Sequence, residues 1–260
     1  MIRSLIERLS RGKAIRRRLP YEFGHRPLYL SPDSALTYLR PNWTKASGEL
    51  LGAAAKYVNP SDNVWDIGGN VGVFTFAAAH AAGPDAEIVT VEADPFLASL
   101  LQRTALDPAN ADRRVNVLCA AVSSSVGLAR FLIAKRGRSS NSLEQWGHRS
   151  QAGGTRYVHF VPTVTLDKLL EHFEQPQVIK IDVEGAETAV LAGAARVLAE
   201  CRPLIYVEVG DEQNAPVTAA FQRNRYRLYN GDSDDEVELT RCVFNTLAVP
   251  HESARTNRRR

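Results

Sequence analysis

No apolar run in this chain approaches the ~20 residues that cross a bilayer. Its first residues lack the apolar core of a secretory leader, so a cytoplasmic location is expected. Cysteine is scarce: Cys119, Cys201 and Cys242 are odd in number and form no C-x-x-C pair. That pattern argues against a disulfide framework or a zinc ribbon, and it reads as reduced thiols in or near apolar core segments. The glycine-rich stretch fails both common phosphate-binding templates. A dinucleotide turn starting at Gly68 needs glycines at positions 70 and 73, where Asn70 and Val73 stand. The Gly-Lys-Ser/Thr of a P-loop is missing altogether. Residues 232–236 are acidic but lack the spacing of a calcium loop, and they read as a hairpin turn. No internal repeat is found.

What is present is an ordinary globular composition. The chain has 260 residues, 44% of them hydrophobic and 23% charged, which is enough for one domain with a full core. The charge is uneven. Residues 1–26 carry eight Lys/Arg against two acids, and residues 251–260 carry four Arg against one Glu. The net charge is +3, so the middle of the chain is acidic. Basic ends read as solvated tails, or as contacts to an anionic membrane surface or nucleic acid. Residues 1–19 can form a short helix with Ile2, Leu5, Ile6 and Leu9 on one side. Residues 20–43, rich in proline and aromatics, read as an irregular lead-in over a cleft. The main domain is expected over 44–249, with a basic tail at 250–260.

The chain is organised around residues 62–92. Val64 and Trp65 form a short apolar strand that ends at Asp66. Gly68, Gly69, Asn70 and Gly72 follow as a tight turn, residues 73–82 read as a buried helix, and a second strand closes at Glu92. Strand, glycine turn, helix, strand and acid make the opening of a nucleotide-binding βαβ unit. Bare backbone at the glycines lets a ligand approach closely. Glu92, 20 residues past Gly72, stands where such folds place a carboxylate on ribose hydroxyls. An acid beside the turn repels a pyrophosphate but suits a ligand carrying ammonium and sulfonium charges, as S-adenosyl-L-methionine does.

The stretch Asp66-Ile67-Gly68-Gly69-Asn70-Val71-Gly72, with Lys180-Ile181-Asp182-Val183-Glu184-Gly185-Ala186-Glu187 downstream, resembles the FkbM-type methyltransferases over about residues 44–249. The second motif is the more specific. The resemblance implies a class I methyltransferase that uses S-adenosyl-L-methionine, mostly on hydroxyls. It implies that Glu49 meets the methionine ammonium, and that the end of the third strand, around Ala121, lies at the adenine. A carbohydrate, glycolipid or natural-product acceptor is the expectation. RNA- or protein-directed methylation and a non-catalytic binding module are the alternatives.

Alternating strands and helices predict an α/β fold: a Rossmann-like, mostly parallel, doubly wound sheet with an antiparallel last strand. Residues 127–162 break the pattern and read as an inserted hairpin or flap. Its loop, with Arg136, Arg138, Ser139, Ser140 and Trp146, could hold a polyhydroxyl acceptor. Carboxylates fall at or just past three strand ends, at Asp66, at Asp182 with Glu184, and at Glu208. Transfer to a hydroxyl needs a base. Asp182 is the first candidate, Glu184 the second, and His148 or His159 a third possibility from the flap. Asp182 and Glu184 would share a face if their strand ran on. A carboxylate pair could instead hold a divalent metal, although no further ligands declare themselves. Strand-end Asp182-Val183-Glu184-Gly185 lacks the Asn/Asp-Pro-Pro-Tyr of amino-methylating DNA enzymes, so exocyclic base amines are unlikely targets and nucleic acid an unlikely partner.

Overall fold

A computed structural model describes residues 6–7, 9–146, 154–235 and 237–254. The chain enters through an antiparallel hairpin, β1 (Ile15–Arg18) and β2 (Pro27–Leu30). The helix expected over residues 1–19 therefore stops short of Ile15. The reason lies in its arginines. Arg16 pairs with Asp107, Arg17 donates to the carbonyls of Tyr38 and Leu39, and Arg18 donates to that of His25. These partners are spaced along an extended chain, not on a helix face. Much of the basic N-terminal segment is thus turned onto the protein itself.

The core is a seven-stranded sheet. In chain order its strands are β3 (Val64–Ile67), β4 (Glu87–Glu92), β5 (Arg114–Cys119), β10 (Val178–Ile181), β11 (Leu204–Glu208), β12 (Tyr226–Asn230) and β13 (Asn245–Pro250). Their spatial order is β12-β13-β11-β10-β3-β4-β5. Strands β3, β4, β5, β10 and β11 run parallel. The last strand, β13, is antiparallel, and it sits between β11 and β12, one place in from the edge. Strands β3, β4 and β10 are buried along their whole length, as expected for parallel strands covered on both faces.

Alternation along the strands sorts the core into two layers. Val64, Ile88, Val178 and Leu204 join the layer under the helices Gly48–Tyr57, Val73–Ala82 and Pro95–Ala105, together with Leu19, Leu28 and Leu30 of the lead-in. Trp65, Val89, Ile179 and Ile205 face the opposite layer, with the helices Glu187–Ala192 and Asn214–Arg223. Val73–Ala82 is apolar almost all round, so it is buried rather than half-exposed. Of the three free cysteines only Cys242 is buried, and Cys119 is exposed at the end of β5.

The expected insertion is a second sheet. After Ala120 the chain leaves the core sheet as β6 (Ala121–Val122), then forms β7 (Gly127–Ala134), β8 (Ser142–Leu143) and β9 (Thr155–Val164). Their order is β6-β9-β7-β8. Phe131, Ile133, Leu143 and Val161 pack inward against Ala121 and Ala186. Arg138 bolts this sheet down. Its guanidinium donates to Asp33 of the lead-in at 2.8 Å, to Asp94 after β4, and to the Tyr157 hydroxyl of β9 at 2.7 Å. All three charged groups are buried. The arginine expected to reach for an acceptor is consumed by the protein. Substituting Arg138 by Met leaves the buried Asp94 carboxylate without its cation and Asp33 with Arg156 alone, and should cost about 3–5 kcal/mol. Urea unfolding of the wild type and the variant measures it.

Candidate functional site

The turn between β3 and the Val73–Ala82 helix is shaped by three residues at positive φ: Gly68 at 81°, Asn70 at 50° and Gly72 at 86°. A Cβ on Gly68 would lie 1.8 Å from the backbone oxygen of Asp182. The carboxyl ends of β3 and β10 therefore touch at this point, and only glycine permits it. Gly69 and Gly72 do other work. A Cβ on Gly69 would meet Thr90 Oγ1 at 2.0 Å, and one on Gly72 would press on Phe76 and Leu101. Gly68 and Asn70 line a cavity, whereas Gly69 and Gly72 let the turn settle on the core.

Asp66 does not face that cavity. It is fully buried, accepts from the Thr75 hydroxyl at 2.6 Å, and stands level with Lys180 across the β3–β10 pair. The Lys180 ammonium lies 3.2 Å from Asp66 Oδ1 and 3.4 Å from Asp182 Oδ2, and donates to the Gly68 carbonyl at 2.8 Å. No hydrogen bond of good geometry reaches Asp66 Oδ1, so that contact acts through charge. Burial opposes the charged amine, but the two carboxylates overcome it, and Lys180 is held well above its ordinary range.

Glu92 ends β4 inside the cavity. Its carboxylate accepts from the backbone N–H of Asn70 and of Asp94, each at 2.8 Å. Burial pushes its pKa up to about 7 despite these two bonds. The space around it, open mouth included, is about 590 Å³. Ala120, Ala121 and Leu97 form apolar walls, and Phe131, Asn141 and Leu143 of the inserted sheet close the far side. Glu184 lines it too, but on a turn at φ 55° and not on the strand, because β10 stops at Ile181. Asp182 and Glu184 are therefore not successive same-face residues of one strand.

A second cavity opens on the other side of Asp182. Tyr38, Ser47, Glu49, Lys180, Tyr206, Glu208 and Asn245 line it, and Asp182 borders both spaces. Burial raises Tyr38 to about 12, so its hydroxyl keeps its proton. Tyr38 belongs to the lead-in expected over a cleft, whereas Tyr206 and Asn245 escaped sequence reasoning. They come from segments distant in the chain, and neither periodicity nor motif marks them.

His148 lies outside the described residues. His159 is exposed on β9, edge-on to Tyr157 with ring centroids 5.0 Å apart, and it lines neither cavity. Among the described residues no cluster of three or more His, Cys, Asp or Glu is gathered as for a metal ion.

The residues present suit S-adenosyl-L-methionine. A carboxylate held by two backbone N–H groups at the end of β4 suits vicinal hydroxyls. Small alanines suit a flat ring. A turn with no side chain at Gly68 suits a ligand laid against backbone. The methyltransferase FkbM domain model matches residues 66–228. Among solved structures, the methyltransferase FkbM of Methylobacillus flagellatus aligns at 16% identity and TM-score 0.46, over 73% of this chain and 43% of that one. A SAM-dependent O-methyltransferase of Thermotoga maritima aligns at 12% identity and TM-score 0.42, over 78% and 64%. Aeropyrum pernix fibrillarin, with bound S-adenosyl-L-methionine, aligns at 13% and 0.43, over 76% and 73%. No curated protein matches the chain.

Glu92 gives the site a pH signature. A diol bound at Glu92 would donate to the ionised carboxylate, whose pKa burial pushes up to about 7. Binding should therefore release a proton and tighten by about tenfold from pH 6 to pH 8. Glu92→Gln should bind more weakly and without this slope. Calorimetry with S-adenosyl-L-homocysteine in buffers of different ionisation enthalpy checks both points.

Proposed function

Since the chain belongs to the FkbM methyltransferase family, we propose that it transfers the methyl group of S-adenosyl-L-methionine to a hydroxyl of a carbohydrate, glycolipid or natural-product acceptor. The observation that carries this reading is the position of Asp182 on the shared border of the two cavities. In this reading the first cavity takes the adenosine, with Glu92 on the ribose and Ala121 beside the ring. Gly68 and Asn70 pass the chain of the ligand toward Asp182. Glu49, on the wall of the second cavity, accepts from the methionine ammonium.

The bound cofactor supplies an electrophilic methyl on a positively charged sulfur. Asp182 accepts the proton of the acceptor hydroxyl as the O–C bond forms and the C–S bond breaks. A positive sulfur and a negative carboxylate are thereby neutralised in the same step. Positioning of the reacting atoms can supply ~7–11 kcal/mol of the barrier, and the base ~10²–10⁴ in rate. Lys180 keeps Asp182 in place, and shares its single positive charge with Asp66. Glu208 and Asn245 line the second cavity, where the Asn245 amide donates to Asp232.

Asp182→Asn should lower methyl transfer by ~10²–10⁴ while shifting cofactor affinity less than about tenfold. Labelled methyl transfer into carbohydrate, lipid and RNA extracts measures the first, and calorimetry the second. Full activity in the variant would remove Asp182 as the base. Label entering RNA alone would replace the hydroxyl-bearing small-molecule acceptor.

A further inference from the structure

The amino-acid end of S-adenosyl-L-methionine carries a carboxylate as well as the ammonium assigned above to Glu49. The second cavity is poor in groups that can receive it. Glu49, Asp182 and Glu208 line that cavity against one cation, Lys180. Lys180 is spent on the Gly68 carbonyl, Asp66 and Asp182, and the Asn245 amide on Asp232. The donors left are hydroxyls, and the charges around them differ. The Tyr206 hydroxyl feels Asp232, Glu49 and Glu208, all negative, so a carboxylate there would meet like charge. Thr37 stands at the rim, where it also lines the groove outside. The Tyr38 hydroxyl feels the Lys180 ammonium more strongly than the Asp182 carboxylate. One end of the cavity therefore suits an ammonium and the other a carboxylate.

Two hydroxyls meet at that second end. Tyr38 belongs to the helical turn Leu36–Leu39 of the lead-in and is 7% exposed. Arg17 holds its backbone carbonyl at 3.1 Å, and its ring lies edge-on to Trp43 with centroids 6.0 Å apart. The buried Ser47 hydroxyl lies beside that of Tyr38. Ser47 stands at the start of the Gly48–Tyr57 helix, yet its side chain does not cap it, as a serine there ordinarily does. Buried hydroxyls ordinarily find a partner, and among the described residues these two find little but each other. Both line the cavity, and an O–H donated to an ionised oxygen makes a stronger bond than one to a neutral oxygen. Both also precede residue 66, where the family match begins, so no family motif marks them. Resting on the cofactor reading above, we propose that Tyr38 and Ser47 donate to the carboxylate of the cofactor's methionine portion, whose tail spans the second cavity from these hydroxyls to Glu49. With Glu92 on the ribose, the cofactor is then held at both ends and its sulfur is fixed between them, beside Asp182. The lead-in thereby becomes part of the cofactor site.

The test is calorimetry of the full chain with two ligands: S-adenosyl-L-homocysteine, which has the amino-acid tail, and 5′-methylthioadenosine, which lacks it. The wild type should bind the first more tightly by about tenfold or more. Tyr38→Phe removes only the hydroxyl, and should weaken S-adenosyl-L-homocysteine about tenfold while moving 5′-methylthioadenosine less than about twofold. Ser47→Ala should split the two ligands in the same direction. A merely structural role would lower both affinities together, and that result would overturn the proposal. Unchanged binding of S-adenosyl-L-homocysteine in both variants would overturn it too. If methyl transfer into the carbohydrate and lipid extracts then fell, Tyr38 would belong to the acceptor instead. A wild type that binds neither ligand would sink the cofactor reading itself.

Discussion

One buried ammonium holds the two halves of the site together. Lys180 Nζ reaches the Gly68 carbonyl on the turn after β3, Asp66 within β3, and Asp182 at the end of β10. Removing a charge of this kind from water is expensive, and only good partners repay it. Here the partners belong to two strands that neighbour each other in space but are separated by more than a hundred residues in the chain. The pairing therefore specifies register. Lys180 opposite Asp66 is the register that puts Asp182 against Gly68. A slip of one residue would turn the lysine to the other face of the sheet.

The same contact explains the division of labour among the acids. Asp66 and Lys180 offset each other, which leaves Asp182, of the two carboxylates on Lys180, as the one that lines the cavities. Asp66 supports the cofactor turn through Lys180 and Thr75, at one remove from any ligand. Glu92 is set apart by burial and by two backbone N–H groups. Three carboxylates at neighbouring strand ends thus have three environments. The inserted sheet adds a wall of the cavity around Glu92 and is fastened by Arg138 to both the lead-in and the core.

The strands and helices of the core were legible because parallel strands buried on both faces and an Ala-rich buried helix leave unbroken apolar runs. The glycine turn was legible because positive φ and close approach demand Gly or Asn. The antiparallel β13 was also legible, but its place between β11 and β12 was not, since local pattern does not encode strand order. Residues 15–18 were misread as helical, because an amphipathic spacing nearer the start carried more weight than the partners these arginines find far along the chain. Arg138 looked like a surface residue of a polar loop. Its burial depends on Asp33 and Asp94 arriving from elsewhere, which no window of sequence contains. Tyr38, Tyr206 and Asn245 share the second cavity for the same reason: tertiary contact alone brings them together.

A complex with S-adenosyl-L-homocysteine bears most directly on the claim that the bend after β3 receives a positively charged methyl donor. A crystal structure of it should show the ribose hydroxyls on Glu92, the ring beside Ala121, and the sulfur within reach of Asp182 at the border of the two cavities. A ligand phosphate lying against Gly68 and Asn70, or the nucleoside bound away from Glu92, would contradict the account.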